Sequence, residues 1–120
     1  MEIPPEALTV LRLLVLKTAR LDEAKRFYES LGLLFAEERH GSGQLHYAAD
    51  IGGCTFELYP SADEPSDGTR LGFAVSGLDR VMEVLSLSGV PTVRSPESTP
   101  RGYRAVVRDP DGRAVELYEA

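Results

Sequence analysis

Two glutamates in matching settings are the first candidates for chemistry in this chain. Glu57 lies in Thr55-Phe56-Glu57-Leu58-Tyr59 and Glu116 in Ala114-Val115-Glu116-Leu117-Tyr118, 59 positions apart. Both segments are rich in β-formers, and strand alternation sends each glutamate to the face opposite its apolar neighbours. A carboxylate there can take a proton as a general base, or hold a cation or a hydroxyl. The turn Gly52-Gly53 fixes what surrounds Glu57, because a two-residue hairpin loop sets the register. Ile51 then pairs with Cys54, Ala49 with Phe56 and Tyr47 with Leu58, giving an apolar face on which Cys54 is an inert thiol. Asp50 opposes Thr55, Ala48 opposes Glu57 and His46 opposes Tyr59 on the other, polar face. The same alternation gathers Ala114, Glu116 and Tyr118 on one face of the second segment. Tyr59, Tyr118 and Tyr103 offer stacking area and a hydroxyl to a ligand. Arg101, Arg104 and Arg108 either bind an anion or are solvated.

The elements that position these residues recur. Leu21-Asp22-Glu23-Ala24 leads to Leu31-Gly32-Leu33, and 57 positions later Leu78-Asp79-Arg80-Val81 leads to Ser88-Gly89-Val90. The preceding segments Leu13–Thr18 and Arg70–Val75 keep the same offset. The chain therefore reads as two copies of a β-α-β-β-β unit, too few for a solenoid. Module one spans about 9–60, with strands over 10–18, 33–39, 44–51 and 54–59 and a helix over 21–30 ending at Gly32. A linker follows at 61–68. Module two spans about 69–119, with a strand over 69–76, a helix over 78–88, a strand over 90–94 and a loop over 95–101. Its closing hairpin turns at Asp109-Pro110-Asp111-Gly112, where proline presets φ and glycine accepts φ > 0. Residues 1–8, with two prolines, read as an arm outside the sheets.

Composition excludes several classes. The net charge of −6 argues against nucleic acid and anionic membrane surfaces as partners. Apolar runs such as Leu13–Leu16 fall far short of the roughly 20 residues that span a bilayer. The start carries no basic segment followed by an apolar one, and a single cysteine cannot make an intrachain disulfide, so the expected setting is the cytoplasm. The length of 120 residues suits one domain, 1–120, made of the two modules.

Leu21 through Leu33, and Arg101-Gly102-Tyr103-Arg104 through Asp109-Pro110-Asp111-Gly112 to Glu116-Leu117, together with the repeat, resemble the vicinal oxygen chelate superfamily. This group includes glyoxalases, bleomycin and fosfomycin resistance proteins and extradiol dioxygenases. The resemblance implies an α+β fold in which two tandem β-α-β-β-β modules form a curved mixed sheet around a cleft. It also implies a divalent metal (Zn, Ni, Co, Mn or Fe), held by one residue from the first strand and one from the last strand of each module. The last-strand carboxylates are Glu57 and Glu116, and the first-strand positions are Leu13 and Arg70. Leucine has no donor atom and a guanidinium repels a metal, so the expectation is that no metal is held there. Arg70 is instead expected to pair with Glu116. His46, diagonal to Glu57 at roughly 7 Å between α-carbons, is within reach of an ion shared with it. His40, beside Gly41, is expected to be exposed.

These residues support a leading function and two alternatives. The first is metal-free binding of a small organic molecule in a homodimer cleft lined by Leu13, His46, Tyr59, Arg70, Tyr103 and Tyr118. An acidic pocket of Glu57, Glu116, Glu37 and Asp50 would favour a cationic ligand. The second is a glyoxalase-like lyase or isomerase with Glu57 or Glu116 as catalytic base, metal-assisted if an ion is bound. The third is a structural dimer without a ligand site.

Overall fold

A computed structural model describes residues 9–65 and 68–120. The proposed arm at 1–8 and part of the linker lie outside the described residues. Module one runs β1 (Leu13–Thr18), α1 (Leu21–Glu29), β2 (Ala36–Glu38), β3 (His46–Ile51) and β4 (Cys54–Pro60). Module two runs β5 (Leu71–Val75), α2 (Leu78–Leu87), β6 (Thr92–Thr99), β7 (Gly102–Arg108) and β8 (Ala114–Glu119). Each module makes its own four-stranded sheet, in the orders β1-β4-β3-β2 and β5-β8-β7-β6. In each sheet the first and last strands pair in parallel and the other pairs are antiparallel. The modules thus share one topology, as the repeat predicts.

Both helices end in the same way. Gly32 and Gly89 take φ of +107° and +79°, and the residues after them, Leu33 and Val90, donate back to Tyr28 and Leu85. This left-handed glycine closure satisfies the last carbonyls of the helix and turns the chain toward the next strand. The Gly52-Gly53 turn has φ of +55° and +86°, so both central residues lie in the region only glycine enters freely. Its register is the expected one: Ile51 with Cys54, Ala49 with Phe56, Ala48 with Glu57.

The helix-facing sides of the sheets build one core. Leu16, Ala49, Phe56 and Leu58 pack with Ala24, Phe27 and Tyr28 of α1, and Val107, Val115 and Leu117 pack with Leu78 and Leu85 of α2. Tyr28 and Phe56 each lie within about 6 Å, ring centre to ring centre, of Phe73 in module two, which joins the halves. No helix among the described residues is long and apolar enough to cross a membrane.

Two expectations about elements need correction. The second strand is only three residues long, an edge strand rather than a full 33–39 run. The segment read as a loop at 95–101 is instead largely the second half of β6, which continues through Pro96 to Thr99. Its ladder with β7 slips between Thr92 and Arg94 and again between Arg94 and Glu97. A proline is tolerated there because β6 is an edge strand and the slips accommodate its missing donor.

Candidate functional site on the open sheet faces

The faces turned away from the helices carry the polar residues. In sheet one, register places Val15 beside Glu57 and Leu13 beside Thr55, with Ala48 and Asp50 across from Glu57 and Thr55. Leu13 is 54% exposed on this face. Glu37 pairs with Tyr47 and so turns to the helix side, away from the expected acidic pocket. Asp50 accepts from the Gly53 N–H and closes its own turn.

His46 is the buried centre of this face, 1% exposed. Its ring stacks flat on Tyr59, 4.1 Å between centres and 10° between planes. Nδ1 lies 3.1 Å from the Gln44 carbonyl, which can only accept, so Nδ1 donates there. Nε2 faces Glu57 Oε2 at 3.3 Å and Glu38 Oε2 at 3.7 Å. The Tyr59 hydroxyl also comes within 3.3 Å. In a parallel stack, however, that oxygen sits above the imidazole plane, out of line with the in-plane direction of Nε2. Desolvation, followed by the charges of Glu57 and Glu38, holds the Tyr59 hydroxyl above the usual tyrosine range, so it stays protonated.

Sheet two has a different character. Gly72 stands beside Glu116, and Ala74 beside Tyr118. Glu116 is fully engaged: Oε1 accepts from Arg104 Nη1 at 3.0 Å and from the Tyr118 hydroxyl at 3.1 Å, and Oε2 faces Arg70 Nη2 at 3.4 Å. The expected Arg70–Glu116 pair is present, and Arg104 is the closer partner. A groove of about 460 Å³ opens over this strand set, lined by Arg70, Arg94, Arg104 and Arg108 among others. Arg113 at its end is turned inward to Asp109 and Asp111. Four guanidiniums thus line one groove, two of them paired with Glu116, in a chain whose net charge is −6. The expected acidic pocket is not what the fold builds on this face.

Tyr103 is placed elsewhere. It alternates out of register with Arg104 and gives its hydroxyl to Asp79 of α2 at 3.0 Å. It therefore lies on the helix side, and that hydrogen bond, followed by desolvation, raises the hydroxyl above the usual range. Sequence reasoning also underrated Glu38 and His40. His40 Nε2 sits 3.3 Å from Glu38 Oε2, which brings both into the neighbourhood of His46. The available signal was Glu38-Arg39-His40, two donor residues two positions apart where the edge strand ends.

The family model for the glyoxalase/bleomycin resistance protein/dioxygenase superfamily matches residues 11–117. The chain belongs to that superfamily. An uncharacterized protein of Mycolicibacterium smegmatis is 31% identical over 109 residues, covering 89% of this chain and 90% of its own. A glyoxalase/dioxygenase from Nostoc punctiforme has the same fold at a TM-score of 0.77 and 19% identity, over 98% of this chain and 94% of its own. TnmS3, an antibiotic binding protein from a Streptomyces, superposes at 0.71 with 24% identity, over 94% of this chain and 97% of its own. Against the superfamily's metal arrangement, the donor chemistry here does not fit. Leu13 and its neighbour Val15 carry no donor, Gly72 stands where β5 flanks Glu116, and Arg70 points a cation at that carboxylate.

Proposed function

We propose that this superfamily member binds a small organic molecule on its open sheet faces, with the module-two groove taking the ligand's anionic group. The observation that carries this reading is that Arg70, Arg94, Arg104 and Arg108 line one groove, while Glu116, the carboxylate that Arg70 and Arg104 reach, is already paired. Guanidiniums present fixed forks that match carboxylate and phosphate oxygens, so an anion here gains charge-assisted hydrogen bonds. Its lining between the arginines is small or apolar, with Val93, Val106, Gly112 and Ala114, and the same sheet face continues over Gly72 and Ala74. A side chain at Gly72 would meet only the Tyr118 ring at 3.9 Å, so packing does not force the glycine and the space stays open. Tyr118 supplies an aromatic edge beside it. Occupied lone pairs argue against Glu116 as a free general base.

A second copy would complete the cleft. Leu11, Leu13 and Val15 form an exposed apolar stripe at alternate positions leading into and along edge strand β1. An exposed apolar edge of this kind is normally covered by another chain. Light scattering behind size exclusion should report a dimer, and Leu13→Glu should shift it to monomer.

Binding is tested by calorimetric titration with substituted benzoates and cinnamates against their methyl esters. Acids should bind and esters should not, and Arg104→Ala should weaken the acids roughly tenfold or more. Equal binding of acids and esters, or a preference for organic cations, would overturn the reading.

A further inference from the structure

We infer that module one carries a second, independent site: a divalent transition-metal centre formed by Glu38, His40 and His46. It differs from the superfamily's arrangement, because its donors come from β2, the β2–β3 connection and β3 of a single module. The argument begins with spacing. A tetrahedral ion with bonds of about 2.0–2.2 Å to nitrogen and oxygen holds neighbouring donors about 3.4 Å apart. Here His40 Nε2 to Glu38 Oε2 is 3.3 Å, His46 Nε2 to Glu38 Oε2 is 3.7 Å and His46 Nε2 to Glu57 Oε2 is 3.3 Å. The donor atoms of Glu38, His40 and His46 all lie within 4.8 Å of one another.

The competing explanation is a protonated His46 shared by two carboxylates. That pairing leaves the His40–Glu38 contact unexplained, and its 3.3 Å matches the spacing of co-ligands. Orientation agrees as well: the Gln44 carbonyl holds Nδ1, the Tyr59 ring clamps the imidazole plane, and Nε2 is left aimed between the two carboxylates. Outer partners of this kind fix the tautomer and direction of a metal-binding histidine. One carboxylate and two imidazoles make the set suitable for zinc, cobalt or nickel rather than calcium or magnesium, and Glu57 adds a second negative charge beside His46.

Three protein donors leave the fourth position of a tetrahedral ion to water. The ion's effect is to pin the edge of sheet one. His40 lies 75% exposed in the connection from the three-residue strand β2 to β3, and Glu38 ends that strand. A metal joining them to His46 ties this edge to the sheet interior, and the exposed histidine gives the ion an entry path.

The test uses the full untagged chain, stripped with chelator, titrated with cobalt(II) and followed by visible absorption, metal content and thermal melting. One cobalt per chain is expected, with the intense bands of tetrahedral coordination and a raised melting temperature. His46 is buried and its replacement risks the fold, so the deciding variant is His40→Ala, whose side chain is exposed. It should keep the apo melting temperature and weaken cobalt binding on the order of a hundredfold. Glu38→Gln should do the same. Absence of stoichiometric uptake, or uptake unchanged in His40→Ala, would overturn the inference. So would uptake retained in His40→Ala and lost in Glu116→Gln.

Discussion

At Glu116 the order of its partners decides what substitutions report. Arg70 reaches the carboxylate at 3.4 Å with its side chain 64% exposed, and Arg104 reaches it at 3.0 Å from a mostly buried position. An exposed pair is screened by water and contributes little, typically under about 1 kcal/mol. Arg70→Ala should therefore move the urea midpoint hardly at all while still weakening an anionic ligand. A loss of stability well above 1 kcal/mol would show Arg70 to be a folding residue and disqualify it as a binding probe. Sequence alone reached the Arg70–Glu116 pair, because both residues sit at the mouth of neighbouring strands in a repeated module. It did not rank Arg104. That side chain meets Glu116 only because Val106 pairs with Glu116 and Arg104 with Tyr118, a register that depends on the loop between β7 and β8. Its length was ambiguous in a turn of the Asp-Pro-Asp-Gly type. His40 was missed for a related reason: beside a glycine turn, a histidine reads as surface until the edge strand is seen to curl it toward His46.

Elements were legible where their punctuation is local. Gly32, Gly89 and Gly52-Gly53 mark ends and turns that the structure reproduces, since only glycine enters those φ values at low cost. The start of α2 is different. Gly77, at φ +75°, offers no side-chain cap, and the free N–H groups of Gly77 and Leu78 are taken by the carboxylate of Glu119 at 2.9 and 3.0 Å. That cap arrives from the end of β8, 41 residues away from Leu78, where no short-range pattern announces it. Backbone bonds from Leu78 and Gly77 lower the Glu119 pKa below its ordinary 4.5. A carboxyl whose folded value is depressed stabilises fully above the unfolded value, and the contribution disappears as pH falls through the folded one. Glu119→Gln should thus be less stable than the parent at pH 7, and the difference should shrink as pH drops below about 4.5. Urea titrations of both proteins at pH 7 and pH 3 measure this. A gap that is the same at both pH values would mean that the cap acts by hydrogen bonding alone, without charge.

Across the whole molecule, the Asp109-Pro110-Asp111-Gly112-Arg113 turn does more than reverse the chain. Asp109 Oδ2 accepts the Tyr28 hydroxyl of α1 at 2.7 Å and Arg113 Nη1 at 3.2 Å, and Oδ1 accepts the N–H groups of Asp111 and Arg113. Arg113 Nη2 then donates to the Lys17 carbonyl at the end of β1, and Asp111 accepts the Ala19 N–H. Asp109 and Arg113 are both about 5% exposed or less. Burial, followed by the charge of Asp109 and the bond to it, drives the Tyr28 hydroxyl far above the usual tyrosine range, so it remains a donor to Asp109 at any ordinary pH. The turn of module two is therefore fastened to the first strand and helix of module one through buried charge. Removing one member of such a pair strands the other in the interior, at a cost of about 3–5 kcal/mol. Asp109→Ala should lose stability in that range. Because its contacts span both modules, the loss should appear as one earlier cooperative transition, coincident in far-ultraviolet and near-ultraviolet circular dichroism. The near-ultraviolet signal comes from tyrosines in both halves, Tyr28, Tyr47 and Tyr59 in one and Tyr103 and Tyr118 in the other. Two separate transitions would show that the modules fold independently. In that case the Phe56–Phe73 and Tyr28–Phe73 contacts would be too weak to couple them, and the Asp109 network would be an attachment rather than part of a shared core.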